Sequence, residues 1–183
     1  MAEIKETSIP DVLEILPRVF KDPRGSFFES FRENWFTSRG LDIKWVQDNQ
    51  SSSVKGTIRG LHFQRPPFAQ DKLVRVIKGR VLDVAVDLRK GSKTFGQAVC
   101  VELSEEKNNL LLVPAGFAHG FSVLEDATFA YKCSNYYNKE SEGGIIWDDS
   151  DLGIDWMVDN PIVSEKDAIL PTLKQFIDRE GGL

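Results

Sequence analysis

The chain is poor in the residue types that mark redox, metal-binding or nucleic-acid proteins. It carries two histidines, two cysteines and two methionines in 183 residues. Its 23 Lys and Arg against 28 Asp and Glu give a formal charge of −5, so no basic excess supports binding to nucleic acid or a membrane surface. An anionic ligand must therefore be met by a local cluster of Arg and Lys. No apolar run approaches the roughly 18 residues of a membrane helix. Residues 1–10 alternate charge with apolar character, unlike the core of a signal peptide. Cys100 and Cys133 each sit in a strand-like stretch, which predicts two buried thiols and no disulfide. No repeat, low-complexity tract or linker divides the sequence. The expectation is a cytoplasmic, soluble protein of one domain, 1–183, burying roughly two-thirds of the surface its unfolded chain exposes.

What the chain does have is strand. Short β-rich runs recur at 26–31, 44–48, 57–63, 72–77, 81–88, 97–103, 110–113, 117–123 and 128–133, with turn residues between them. A spacing of roughly ten residues suits a sandwich or barrel rather than alternating β and α units. Gly79-Arg80 reads as a hairpin connection between two of these runs. In 81–88, Leu82, Val84, Val86 and Leu88 share one face, and Asp83, Ala85 and Asp87 share the other, as expected for a sheet face lining a polar cavity. Helical pattern is confined to 33–39, before Gly40, and to 173–179. The predicted architecture is mainly β, a jelly-roll barrel with short helices at its ends.

Both histidines fall in strand-like stretches among glycines and aromatics: Arg59-Gly60-Leu61-His62-Phe63-Gln64 and Pro114-Ala115-Gly116-Phe117-Ala118-His119-Gly120-Phe121. Histidine is the side chain that serves as acid or base near neutrality, so the pair suggests a proton-transfer site. Strict alternation puts Arg59 and His62 on opposite faces. Gly60 between them offers a bulge that resets the phase. Lys72 opens a strand, either facing solvent or pointing into the barrel where its ammonium stabilises an oxyanion. Tyr131 is either a core residue or a phenolic acid within reach of substrate. In Ser164-Glu165-Lys166-Asp167, the acidic residue is either part of a helix start or the partner that orients a distant histidine. Metal-binding jelly rolls present two histidines one residue apart on a strand. This chain has no His-x-His, so no metal site is expected.

Taken in order, further segments complete a pattern: Asp22-Pro23-Arg24-Gly25-Ser26-Phe27-Phe28-Glu29, Val46-Gln47-Asp48-Asn49, Lys72-Leu73-Val74-Arg75, Asp83 to Arg89, Tyr131-Lys132 with Tyr136-Tyr137, and Trp147-Asp148-Asp149. Over nearly its whole length the chain resembles the dTDP-4-dehydrorhamnose 3,5-epimerases, metal-free cupin-fold enzymes of nucleotide-sugar metabolism. The resemblance implies that His62 is the general base, Asp167 its orienting partner, and Tyr131 the acid on the opposite face of the sugar. It implies that Lys72 stabilises an enolate oxygen with Arg59 and His119 beside it and Asp83 in support. Arg24, Glu29, Gln47, Asn49, Glu142 and Lys166 match nucleotide-sugar contacts, Tyr137 the aromatic that stacks on thymine, and Phe27 a residue reaching across a homodimer interface. Ser26 departs from the family, where many relatives carry an aromatic.

The implied reaction converts dTDP-4-dehydro-6-deoxy-D-glucose to dTDP-4-dehydro-L-rhamnose. Hydrogens on carbons 3 and 5 flank a ketone, so removing either gives an enolate. That step calls for a base of near-neutral pKa, a cation at the ketone oxygen and an acid across the ring, with no cofactor. The rival readings are a single-site epimerase of another deoxysugar, a 3,4-ketoisomerase, and a non-catalytic cupin that binds nucleotide-sugars.

Overall fold

The computed structural model describes residues 2–183, and strand dominates it. In chain order the elements are β1 (Glu3–Glu6), β2 (Leu13–Leu16), β3 (Phe20–Asp22), β4 (Gly25–Phe27), helix α1 (Asn34–Thr37), β5 (Gln47–Ser53), β6 (Ile58–Gln64), β7 (Lys72–Asp87), β8 (Ala98–Ser104), β9 (Leu110–Val113), β10 (Phe117–Cys133) and β11 (Glu142–Gly144). A 3₁₀ turn at Asp167–Ile169 and helix α2 (Leu173–Glu180) close the chain. Nine strands form one antiparallel sheet ordered β1-β2-β9-β7-β10-β6-β11, with β5 also on β10 and β8 also on β7. β3 and β4 pair only with each other, as a separate hairpin.

β7 and β10 are the spine. They pair with each other from Lys72↔Cys133 to Asp87↔Phe117, and each changes its outer partner halfway. The first half of β7 takes β9 and the second half takes β8. β10 takes β6 first and β5 later. The sheet thereby folds over on itself into a jelly roll of the cupin type. This corrects the expected hairpin at Gly79-Arg80: 72–77 and 81–88 belong to one strand, as do 117–123 and 128–133. Gly79 marks a bend rather than a turn. Its φ is +80°, and a Cβ there would meet the Asp126 carbonyl oxygen at 2.2 Å. β10 shifts register at the same level, between Val123 and Phe129, so the two strands bend together.

The pleat sorts β7 between two cores. Ala85 joins Val74, Val76, Val81, Phe121 and Phe129 inside the roll, while Leu82, Val84, Val86 and Leu88 pack outward against Phe63, Trp156, Leu173 and Phe176. Asp83 and Asp87 are fully buried on the inner face. The polar character expected of that face is real, but it is confined to those two carboxylates. Phe129 is 1 % exposed, and truncating it to alanine costs about 3–5 kcal/mol on the scale of buried aromatics. α2 holds its position through a capping box between Thr172 and Gln175, a left-handed Gly181, and an edge-on contact of Phe176 with Phe63 at 5.4 Å.

Other expectations shift. The helix at 33–39 is a four-residue turn with no side-chain cap, anchored by buried Trp35 and Phe36. The strand at 26–31 is the second arm of the short hairpin and ends at Phe27; the one at 44–48 begins at Gln47 and runs to Ser53. Cys133 is buried as expected, but Cys100 is exposed, because Val99, Val101 and Leu103 take the inward face of β8 and alternation turns Cys100 the other way.

Candidate active site

The site begins with an irregularity in β6. Across β10, His62 faces His119 while Arg59 faces Phe121, so three steps on β6 span two on β10. Gly60 makes this bulge possible. It has φ +130°, and a Cβ on it would lie 2.5 Å from the Gly120 Cα. Glycine on both strands lets the backbones touch. With the phase reset, Arg59 and His62 line the same cavity, which has a volume of about 690 Å³.

Asp167, the first residue of the 3₁₀ turn, meets His62 from 105 positions away: its Oδ1 accepts from His62 Nε2 at 2.8 Å. The carboxylate can only accept, so Nε2 carries the proton and Nδ1 carries the lone pair. Asp167 is 4 % exposed and also accepts the Gly60 N–H at 3.3 Å, while its own N–H donates to Ser164 Oγ at 3.1 Å. Burial pushes the Asp167 carboxyl upward, but the His62 bond, its charge and the Gly60 N–H outweigh this and hold it below the usual carboxylate range. It stays an anion against the imidazole.

His119 forms a second pair of the same kind. Its Nε2 donates to both oxygens of buried Asp83, at 2.9 and 3.0 Å. Lys72 and Tyr131 come from the two spine strands and line the cavity beside the histidines. Burial pulls the Lys72 ammonium below its ordinary value, partly opposed by Cys133, Asp83 and Glu142. Burial pushes the Tyr131 phenol up, so it remains protonated at neutrality. The floor is aromatic: Phe121 stacks on Phe129 at 4.2 Å, and His119 and Tyr131 lie 6.3 and 6.1 Å from Phe129.

A recess of about 190 Å³ shares His62, Lys72 and Tyr131 with the cavity. It adds Gln47 and Asn49 from β5, Gln64, Cys133, Tyr137 and Glu142. Gln47 Nε2 donates to Asn49 Oδ1 at 3.0 Å, and its Oε1 accepts the Tyr137 N–H at 3.1 Å. Glu142 ties the rim together: it accepts from the Tyr137 hydroxyl at 3.0 Å and pairs with Lys166 at 2.7 Å. That ion pair raises the Lys166 ammonium.

The structure thus brings together His62, Asp167, Lys72, Tyr131, Arg59, His119, Asp83, Gln47, Asn49, Tyr137, Glu142 and Lys166. It does not bring Arg24, Phe27 or Glu29 to the cavity of their own chain. Arg24 binds Asp22 on the β3–β4 hairpin with 90 % of its side chain exposed, Phe27 is 68 % exposed, and Glu29 pairs with Arg32. Sequence reasoning missed Ser51, Ser53, Phe121, Phe129, Ile162 and Val163, which also line the cavity. The serines carried no signal in the sequence, since Gln-Asp-Asn-Gln-Ser-Ser-Ser is polar throughout; in the structure every second residue is half-buried, the period of a strand with one face on a cavity. Among the described residues no three His, Cys, Asp or Glu converge as a metal site.

An imidazole backed by a carboxylate, an acidified ammonium and a protonated phenol around one cavity are the parts needed to move protons next to a carbonyl. Arg59 and Lys72 give the cavity positive charge not paired to a carboxylate in an acidic protein, which suits an anionic ligand.

Comparison with known proteins agrees with that chemistry. Residues 6–175 match the family model described as dTDP-4-dehydrorhamnose 3,5-epimerase. A protein of that name from Shigella flexneri is 53% identical over 177 residues, covering 96% of each chain. The crystal structure of the enzyme from Elizabethkingia anophelis superposes with a TM-score of 0.91 at 49% identity, over 95% of this chain and 97% of that one. A dTDP-6-deoxy-D-glucose-3,5-epimerase from Legionella pneumophila, solved in complex with dTDP-4-keto-L-rhamnose, gives a TM-score of 0.91 at 46% identity over 95% and 94%.

Proposed function

The chain belongs to the dTDP-4-dehydrorhamnose 3,5-epimerase family, and we propose that its cavity inverts carbons 3 and 5 of dTDP-4-dehydro-6-deoxy-D-glucose through His62 and Tyr131. The protein is an isomerase of dTDP-rhamnose biosynthesis, and the product is dTDP-4-dehydro-L-rhamnose. The observation that carries the residue roles is the His62–Asp167 bond on a cavity wall shared with Lys72 and Tyr131.

His62 Nδ1 takes the proton from the carbon beside the ketone, and Asp167 holds the imidazolium that results. The electron pair moves onto the ketone oxygen, where the Lys72 ammonium stabilises it, with Arg59 and His119 alongside. Asp83 fixes His119 through both carboxylate oxygens. Tyr131 returns a proton to the opposite face, which inverts the centre; before the second carbon reacts, the His62 imidazolium gives its proton to solvent and the Tyr131 phenolate takes one back. The same cycle at the second carbon completes the reaction. Protons leave and return without net oxidation, so the chemistry calls for no redox carrier, and the Lys72 ammonium supplies the positive charge at the ketone oxygen.

Gln47, Asn49, Glu142 and Lys166 hold the nucleotide-sugar, and Tyr137 stacks on thymine. Arg59 meets the diphosphate as well as flanking the ketone. We read the assembly as a homodimer in which Arg24, Phe27 and Glu29 are lent to the partner's cavity; their exposure and distance from their own cavity support this reading. No helix among the described residues is long and apolar enough to cross a membrane, and we place the protein in the cytoplasm.

The test is incubation with dTDP-4-keto-6-deoxyglucose in heavy water, followed by NMR of the sugar. Deuterium at carbons 3 and 5 with an L-configured product is expected. Label at one carbon means a single-site epimerase, a relocated carbonyl means a ketoisomerase, and no exchange means a binding protein.

A further inference from the structure

We propose that Ser53 is a positioning residue: its hydroxyl fixes the Arg59 guanidinium over the cavity without neutralising it, so that the arginine meets the ligand's phosphates already oriented. This rests on the diphosphate-sugar reading above. The bond that motivates it is Arg59 Nε donating to Ser53 Oγ at 2.9 Å.

Most arginines of this protein that make side-chain bonds are tied to carboxylates. Arg24 pairs with Asp22, Arg32 with Glu29, Arg65 with Glu180, Arg80 with Glu102 and Glu125, and Arg89 with Asp11 and Asp87. Arg59 lines the cavity, and among the described residues its side chain has a neutral hydroxyl as its partner. A carboxylate there would orient the guanidinium equally well but would cancel the charge that attracts an anion. A hydroxyl orients it and leaves the charge intact. By occupying Nε, Ser53 also leaves both terminal NH2 groups available as a fork for phosphate oxygens.

The strand context supports the same reading. β5 turns Gln47, Asn49, Ser51 and Ser53 toward the cavity side, all uncharged hydrogen-bonding groups. Asp48, the acidic residue of the strand, is on the other face, bound to Lys132 at 2.9 Å. The wall beside Arg59 therefore supplies donors and acceptors with no competing negative charge. Arg59 itself is exposed, so without Ser53 its long side chain would sample many rotamers and lose that freedom on binding. Ordering one such side chain beforehand is worth roughly 3- to 10-fold in affinity.

The experiment is calorimetric titration of the full-length protein with dTDP and with inorganic pyrophosphate, using wild type, Ser53→Ala, Ser53→Thr, Arg59→Ala and the Ser53→Ala/Arg59→Ala double variant. Ser53→Ala is expected to weaken dTDP binding by about 3- to 10-fold, and Ser53→Thr, which keeps the hydroxyl, to restore it. With Arg59→Ala already present, Ser53→Ala should add no further loss. In turnover assays Ser53→Ala should raise KM, and Ser53→Thr should bring it back. Equal losses with and without Arg59, unchanged dTDP affinity in Ser53→Ala, or wild type binding neither anion would each overturn the inference. Anion binding that follows the expected pattern in a protein that exchanges no sugar protons would support Ser53 and refute the epimerase reading instead.

Discussion

Asp167→Asn isolates the charge behind the base from its shape. Asparagine fills the same volume, and its carbonyl oxygen can still accept the Gly60 N–H that Asp167 now takes at 3.3 Å. What it removes is the negative charge 2.8 Å from His62 Nε2. With its oxygen on Gly60 it also turns an amide N–H toward Nε2, which disfavours the tautomer that leaves Nδ1 as the base. At that separation and an effective dielectric of about 20, the attraction between imidazolium and carboxylate is about 6 kcal/mol, which serves as a ceiling. The His62 side chain is 30 % exposed, so water screens part of it. A loss of about 3–5 kcal/mol corresponds to turnover lowered by about 10²- to 10⁴-fold. Proton removal is the step affected, so solvent deuterium should wash into carbons 3 and 5 more slowly by the same factor, while dTDP binding by calorimetry changes little. His62→Ala should abolish exchange at both carbons, and His62→Ala with Asp167→Asn should be little worse than His62→Ala alone, because residues acting as one unit are strongly non-additive. Unchanged turnover in Asp167→Asn, or a loss of dTDP affinity parallel to the loss of rate, would refute the reasoning.

Tyr131→Phe should leave proton removal by His62 in place and impair inversion, so NMR in heavy water should show deuterated sugar without L-configured product; equal loss of both would remove Tyr131 from the acid role. Burial lowers the Lys72 pKa, so the alkaline limb of kcat should fall below the ordinary lysine value of about 10.4. In the window between the lowered value and that figure the unfolded chain binds more protons, so stability rises with pH, and an activity loss there measured alongside a melting curve cannot be unfolding. Asp87 is buried and accepts from Arg89, Ser92 and Thr94; burial alone would raise its pKa, but these bonds hold it far below the usual range. Its contribution is present above the unfolded carboxyl value of about 3.9 and fades as pH falls below it, so Asp87→Asn should cost about 3–5 kcal/mol in urea unfolding at pH 7 and progressively less in acid.

The sequence was most informative where local pattern and tertiary need coincide. The run 110–113 is β9 to the residue, because four consecutive apolar side chains have nowhere to go but a fully buried strand. Gly60 was readable as a bulge because a glycine between two functional side chains of opposite phase demands one. Gly79 misled because a turn and a bend use the same residue. The difference lies in β10, which bends at the same level and is 40 or more residues away in sequence. The edge strands β1 and β11, and β2 beside β1, are three or four residues long and have little periodicity to read. Ser51 and Ser53 were passed over because serine usually marks loops, and only their alternation on β5 gives them a face. The segment 24–29 matches the family pattern yet does not line the cavity of its own chain, because β3 and β4 pair with each other and leave Arg24 exposed.

The continuous pairing of β7 with β10 also orders how the molecule comes together. Those strands are joined by sequence-distant contacts, such as Lys72 with Cys133, and such long loops must close before any of their contacts repay the entropy lost. Once this ribbon has zipped, β5, β6, β8 and β9 can add along its margins, and Lys72, Tyr131, His119 and Asp83 are already in register. Asp167 arrives from a 3₁₀ turn outside the ribbon, bonded to β6 through His62 and Gly60, while Ile162 and Pro171 tie the flanks of the turn to Ile58 and Ile146. The base therefore depends on a segment that the ribbon does not contain, so an Asp167 displaced from His62 would leave the pairing of β7 with β10 unchanged.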